Sequence, residues 1–156
     1  MTATRSDNSQ TASATSNAAT VTIANAYNYT ITWGDLSSFT YAAPSYAWDS
    51  ENMRYVQTNE GGWSSSATPY VTLTNNSSAL AVHGALTFTP DAAITTWVPG
   101  LSYYSNSVMT TTTASSTDVA ANTTWTVYMK PTGAPDSTWS GTKTLGTVRI
   151  TVSAVD

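Results

Sequence analysis

Between Thr20 and Trp33 large and small side chains alternate without a break. Val21, Ile23, Tyr27, Tyr29, Ile31 and Trp33 share one parity with Asn25, and the other parity is Thr, Ala or Asn throughout. Period-two alternation predicts a half-buried β-strand, because successive side chains point to opposite faces. At about 3.3 Å per residue the run is far longer than the usual strand of about 5–6 residues. It either breaks near Asn25 or Asn28, or its first part reaches beyond its own domain.

The same pattern recurs downstream, punctuated by Pro, Gly, Asn and Ser. Gly34-Asp35 predicts a turn and Phe39–Tyr41 a short strand stopped by Pro44. Tyr46–Val56 reads as a hairpin whose Asp49-Ser50-Glu51-Asn52 turn bonds its own backbone. Glu60–Trp63 is a second turn. Tyr70–Thr74 alternates, Asn75–Ser78 turns, and Leu80, Val82, Gly84, Leu86 and Phe88 form the next inward face, opposite His83 and Thr87. Residues 91–107 are irregular, with a loop or one helical turn at Asp91–Ile94. A threonine-rich patch with strand propensity, Val108–Thr117, precedes one alternating run through Val119, Ala121, Thr123, Trp125, Val127 and Met129. Val148, Ile150, Val152 and Ala154 face inward in the closing strand. Short strands separated by such turns predict an all-β fold: a β-sandwich of Greek-key or jelly-roll type with an N-terminal extension. Val71, Leu73, Leu86, Trp125, Val127, Val148, Ile150 and Val152 are the expected core.

The 156 residues fit one domain, spanning 20–156. Beyond Met1, residues 1–19 hold no large apolar side chain and are expected to form a flexible or partner-bound tail. Residues 20–26 stand out as a candidate donor strand, one that completes another sheet.

Composition narrows the function. Charged residues are 9% of the chain, against about 25% in an ordinary soluble domain. Ser and Thr supply about a third of it, so hydroxyl and amide groups must carry solubility. Five basic residues and a net charge of −4 give no cluster to neutralise nucleic-acid phosphates or an anionic membrane. Cysteine is absent, which removes disulfides and thiolate metal sites. No apolar run is long enough to span a bilayer. The expectation is a secreted protein whose leader has been removed.

The chemistry-bearing residues read blandly. Asp35, Asp49, Glu51 and Glu60 could supply an acid/base pair, but all sit in predicted turns without a nucleophile or supporting groups. Calcium at Asp49, Glu51 and Asn52 competes with a plain hairpin turn, which the spacing favours. His83 is the only histidine and has no sequence-adjacent metal-ligating or acidic partner. The expectation is a non-enzymatic chain without cofactor or metal.

Trp33-Gly34-Asp35 with Phe39-Thr40-Tyr41, the Trp48–Tyr55 hairpin, Gly61-Gly62-Trp63, the strand and turn Val71–Ser78, and the closing Leu145–Val152 together resemble secreted β-sandwich proteins of Firmicutes. More distantly they are similar to camelysin/TasA-type matrix-fibre subunits. That resemblance implies a subunit of an extracellular surface or biofilm-matrix filament, a head-to-tail homopolymer joined by donor-strand complementation. Val21, Ile23 and Asn25 would then lie in the subunit interface. The chain departs from that pattern in being shorter and nearly free of charge.

Aromatic content supplies the alternative, a carbohydrate-binding or adhesive module. Trp48, Trp63, Trp97 and Trp139 fall in or near loops, where binding residues concentrate, and would form a sugar platform. Trp33 and Trp125 read as core. Glycosylation sequons begin at Asn28, Asn75, Asn76 and Asn122.

Overall fold

The computed structural model describes residues 2–4, 11–13, 27–37, 39–136 and 138–155. The fold is all-β, and no helix occurs among the described residues. Within the N-terminal extension, β1 (Thr2–Thr4) pairs antiparallel with β2 (Thr11–Ser13). Of the long alternating run, residues 27–33 are described and include β3 (Tyr29–Trp33); Val21, Ile23 and Asn25 lie outside the described residues.

A ribbon follows, built from β4 (Thr40–Ala42), β5 (Ser45–Asp49), β6 (Arg54–Asn59) and β7 (Gly62–Ser64). β4 pairs with β7 and β5 with β6, with a register irregularity at Ser45/Tyr46. The remaining strands are β8 (Tyr70–Asn75), β9 (Val82–Pro90), β10 (Leu101–Tyr104), β11 (Ser116–Val119), β12 (Thr124–Pro131) and β13 (Gly146–Ala154).

Two antiparallel sheets form the body, ordered β10-β12-β8-β3 and β11-β9-β13. From β8 to β13 consecutive strands alternate between the sheets, so none of these connections is a hairpin within a sheet. Val71 and Val127, buried on the first sheet, share a cluster with Leu86 of the second; Val148 and Ile150 pack against it. Leu73, Val82 and Val119 form a second cluster toward one end, and Trp63, Ile94 and Val98 a third toward the other. Gly84 is needed where it stands: a Cβ there would lie 2.7 Å from Leu73 Cδ2.

Four of the expected core residues (Val71, Leu73, Leu86 and Val127) are buried, whereas Trp125, Val148, Ile150 and Val152 are half-buried. Trp33, expected in the core, is 42% exposed. The expected run from Val119 to Met129 is two strands. Asn122 adopts φ 57° and Thr123 N–H donates to Ala120 O, turning the chain from one sheet to the other. Parity survives because both arms still point apolar residues inward. Most of the threonine-rich patch is a loop, organised by Asn106 Oδ1 accepting the Thr110 and Thr111 amides. Asp91–Trp97 is a series of turns.

Candidate functional site

β3 ends the four-stranded sheet and β13 the three-stranded one, and the two edges lie on the same side of the sandwich. Tyr29, Ile31 and Trp33 stand opposite Asn75, Leu73 and Val71, so they point toward the second sheet. Yet Tyr29 is 45% and Trp33 42% exposed. On β13 the inward residues Val148, Ile150 and Val152 stand opposite Phe88, Leu86 and Gly84 and remain half-buried. The inward-facing side chains of β8 (Val71, Leu73 and Asn75) are closed from water; those on these two edges are half-buried or exposed. Among the described residues the sandwich is open along this seam.

At one pole the seam widens into a cleft of about 1150 Å³. Trp33, Leu36, Tyr41, Trp139 and Val148 are among the residues that line it, with Asp136 and Lys143 supplying charge. Its size exceeds the roughly 300–1,000 Å³ of an ordinary small-molecule pocket. The floor is an aromatic cluster in which every pair meets edge-on. Tyr41 and Trp63 have centroids 5.2 Å apart at 62°, Trp63 and Trp139 lie 6.5 Å apart at 79°, and Trp97 and Trp139 lie 5.4 Å apart at 70°. Such packing contributes about 0.5–1.5 kcal/mol per pair beyond burial. Trp63 is buried and its Nε1–H donates to Gly133 O at 2.8 Å. Lys143 Nζ sits 5.9 Å from the Trp139 centroid, within cation–π range. The side-chain hydroxyl of Thr138 donates to the Asp136 carboxylate, and with the Thr138 amide holds its pKa below the ordinary value.

At the opposite pole the chain enters β3 under tight control. Asn28 N–H donates to Ser77 Oγ at 2.9 Å, and Asn28 O accepts from Asn76 N–H at 2.8 Å. Beneath them Asn75 is fully buried, its Nδ2 donating to Leu80 O at 2.8 Å and Val119 O at 2.9 Å, while its Oδ1 accepts the Ser77 amide. The segment preceding Tyr27 therefore joins the body at the pole remote from the cleft.

An edge strand beside an apolar slot can accept another strand. Alternate residues of β13 turn backbone N–H and C=O groups away from β9, the groups through which an edge strand accepts a partner. Central strands have both neighbours supplied by their own chain; among the described residues β13 has one, β9.

The other sequence candidates fall apart spatially. Trp63, Trp97 and Trp139 converge in the aromatic cluster, but crossed at steep angles they present no common flat face. Trp48 is elsewhere, on β5, edge-on to Tyr55. Asn28, Asn76 and Asn122 are exposed, whereas both amide hydrogens of Asn75 are engaged in the interior, which closes that sequon to a glycan. Asp35 Oδ1 accepts the Ser37 amide. Asp49 Oδ1 accepts the Glu51 and Asn52 amides and its Oδ2 accepts Asn52 Nδ2, so its oxygens already serve the turn. Among the described residues no group of three or more His, Cys, Asp or Glu is placed to hold a metal, and no helix is long and apolar enough to cross a membrane.

One partnership escaped sequence reasoning. His83 Nδ1 lies 2.6 Å from Asp118 Oδ1, and Ser153 stands opposite His83 on the other neighbouring strand. Asp118, His83 and Ser153 thus form a row across the outer face of the three-stranded sheet. The His83 and Asp118 side chains are 41% and 61% exposed, and the row lies outside the cleft. Acyl transfer requires oxyanion donors in a water-excluded site, which an open sheet face does not provide. The signal was absent locally because the partners are 35 residues apart. No protein-family model, curated protein or solved structure matches the chain.

Proposed function

We propose that this chain is the structural subunit of an extracellular surface or matrix filament, polymerising head to tail by strand addition. The observation that carries the reading is the open seam: inward-facing Trp33 and Val148 flank a cleft beside the edge of β13 that has no partner strand among the described residues. The guest is residues 20–26 of a neighbouring copy. Its alternating Val21 and Ile23 supply two apolar plugs, each worth about 1.5–3 kcal/mol if fully buried. Backbone bonding to β13 would add affinity without sequence demands.

Polarity supports the filament. The donor segment joins the body at the Asn28–Ser77 pole, while the cleft opens at the Trp63–Phe88 pole. A donor at one end and an acceptor at the other is a heterologous contact, and where its rotation does not close it generates open chains. Filling the seam also covers the edge that an isolated sandwich would leave open to uncontrolled pairing. The resemblance to matrix-fibre subunits, the scarcity of charge and the lack of cysteine support an extracellular site of action. Electron micrographs of the purified chain test the reading: fibres are expected, and their loss on deleting residues 1–26 or on substituting V21D and I23D. Unaltered fibres from the deleted chain would refute it.

A further inference from the structure

We infer that the β5–β6 hairpin is a clasp that packs its aromatic face onto the next copy of this chain. The hairpin continues the β4–β7 ribbon, whose base is set in the aromatic cluster: Tyr41 and Trp63 stand opposite each other and belong to that cluster. Beyond Pro44 the ribbon leaves the body. Every residue from Ser45 to Asn59 is exposed except Asp49, which is half-buried.

Register sorts the arm into two faces. Tyr46 stands opposite Gln57 and Trp48 opposite Tyr55, so one face carries three aromatics and no charge. Tyr46 is 59%, Trp48 54% and Tyr55 71% exposed. An isolated two-stranded hairpin is marginal in water, and a contiguous exposed aromatic strip marks an interaction surface. Trp48 and Tyr55 meet at 67° with centroids 5.2 Å apart, so they offer no pair of coplanar rings for stacking sugars.

The occupant follows from position. This inference rests on the head-to-tail reading. The arm springs from the acceptor pole, because Thr40, Tyr41 and Ala43 at its base also line the cleft. A guest strand of residues 20–26 spans about 23 Å and the arm from Ser45 to Asp49 about 17 Å. The body of the copy that supplies the guest must therefore lie within reach of the arm. The clasp adds a second contact to the same subunit, continuous with the cleft.

The test uses the full-length chain carrying Y46S, W48S and Y55S together. Near-ultraviolet circular dichroism checks the body, which these residues do not help to pack. A second variant, Met53→Cys, carries an environment-sensitive dye on the arm; it is the chain's sole thiol. The expected results are a rise of about tenfold or more in the critical concentration for assembly, and a blue shift of the dye on assembly. An unchanged critical concentration with the dye still in water overturns the clasp while leaving strand addition standing. Failure of the unaltered chain to assemble overturns both. A dye response to soluble polysaccharide in the assembly-blocked V21D/I23D background overturns the clasp in favour of a sugar-binding arm.

Discussion

Gly84 and Trp125 face each other across the sandwich so closely that a Cβ on Gly84 would lie 2.9 Å from Cζ3 of the indole. The glycine is there because the tryptophan is. Gly84→Ala should cost about 1–3 kcal/mol by overpacking. Trp125→Ala, at a half-buried site, should cost about 3 kcal/mol, the low end for a large aromatic. The double substitution should be less destabilised than the sum of the two, since each removes the other's neighbour. Urea denaturation of the four chains measures the coupling; strict additivity would contradict the contact.

Asn75 acts as an internal clamp. Its amide joins the Leu80 and Val119 carbonyls, tying the β8–β9 connection to the end of β11. Asn75→Ala leaves one buried and one part-buried acceptor without that donor and should lower stability by about 2 kcal/mol. A denaturation midpoint equal to that of the unaltered chain would show that the clamp is dispensable.

The tip of the arm should respond to acid. The Asn52 side-chain amide, followed by its backbone amide, holds the Asp49 carboxyl below its ordinary value. A depressed carboxyl stabilises the turn above the ordinary pKa, and that contribution disappears as pH falls through the depressed one. Backbone amide shifts of Glu51 and Asn52 should therefore titrate with a midpoint below about 3.9. A midpoint at or above that value would contradict the hydrogen-bonded turn.

Alternation and turn chemistry were enough to place β8, β9, β13 and the Asp49 turn, because those signals are local. What they could not reveal was which strands are edges. Trp33 has the same parity as Ile31, yet it is exposed because among the described residues no strand lies beyond β3. The Asn75 sequence reads as a turn; its burial depends on Val119, 44 residues away. Asn122 hid a sheet-to-sheet crossing inside a continuous alternation, since a short turn preserved the parity. The cleft itself draws residues from β3, β4, β7, β9, β10, β12, β13 and the loop before β13, which no window of sequence spans. Val21 and Ile23, the alternating apolar pair after the polar tail from which a donor strand is proposed, lie outside the described residues.

The most direct measurement exploits the absence of cysteine. Ile23→Cys and Val148→Cys introduced together give one thiol on the proposed guest and one beside the cleft. Mild oxidation of assembled protein should yield a ladder of covalent multimers on a non-reducing gel, and neither single variant should give more than dimers. A covalent product confined to the monomer would mean that the segment fills the seam of its own chain. Filaments that form while the double variant gives no ladder would contradict strand addition at this seam.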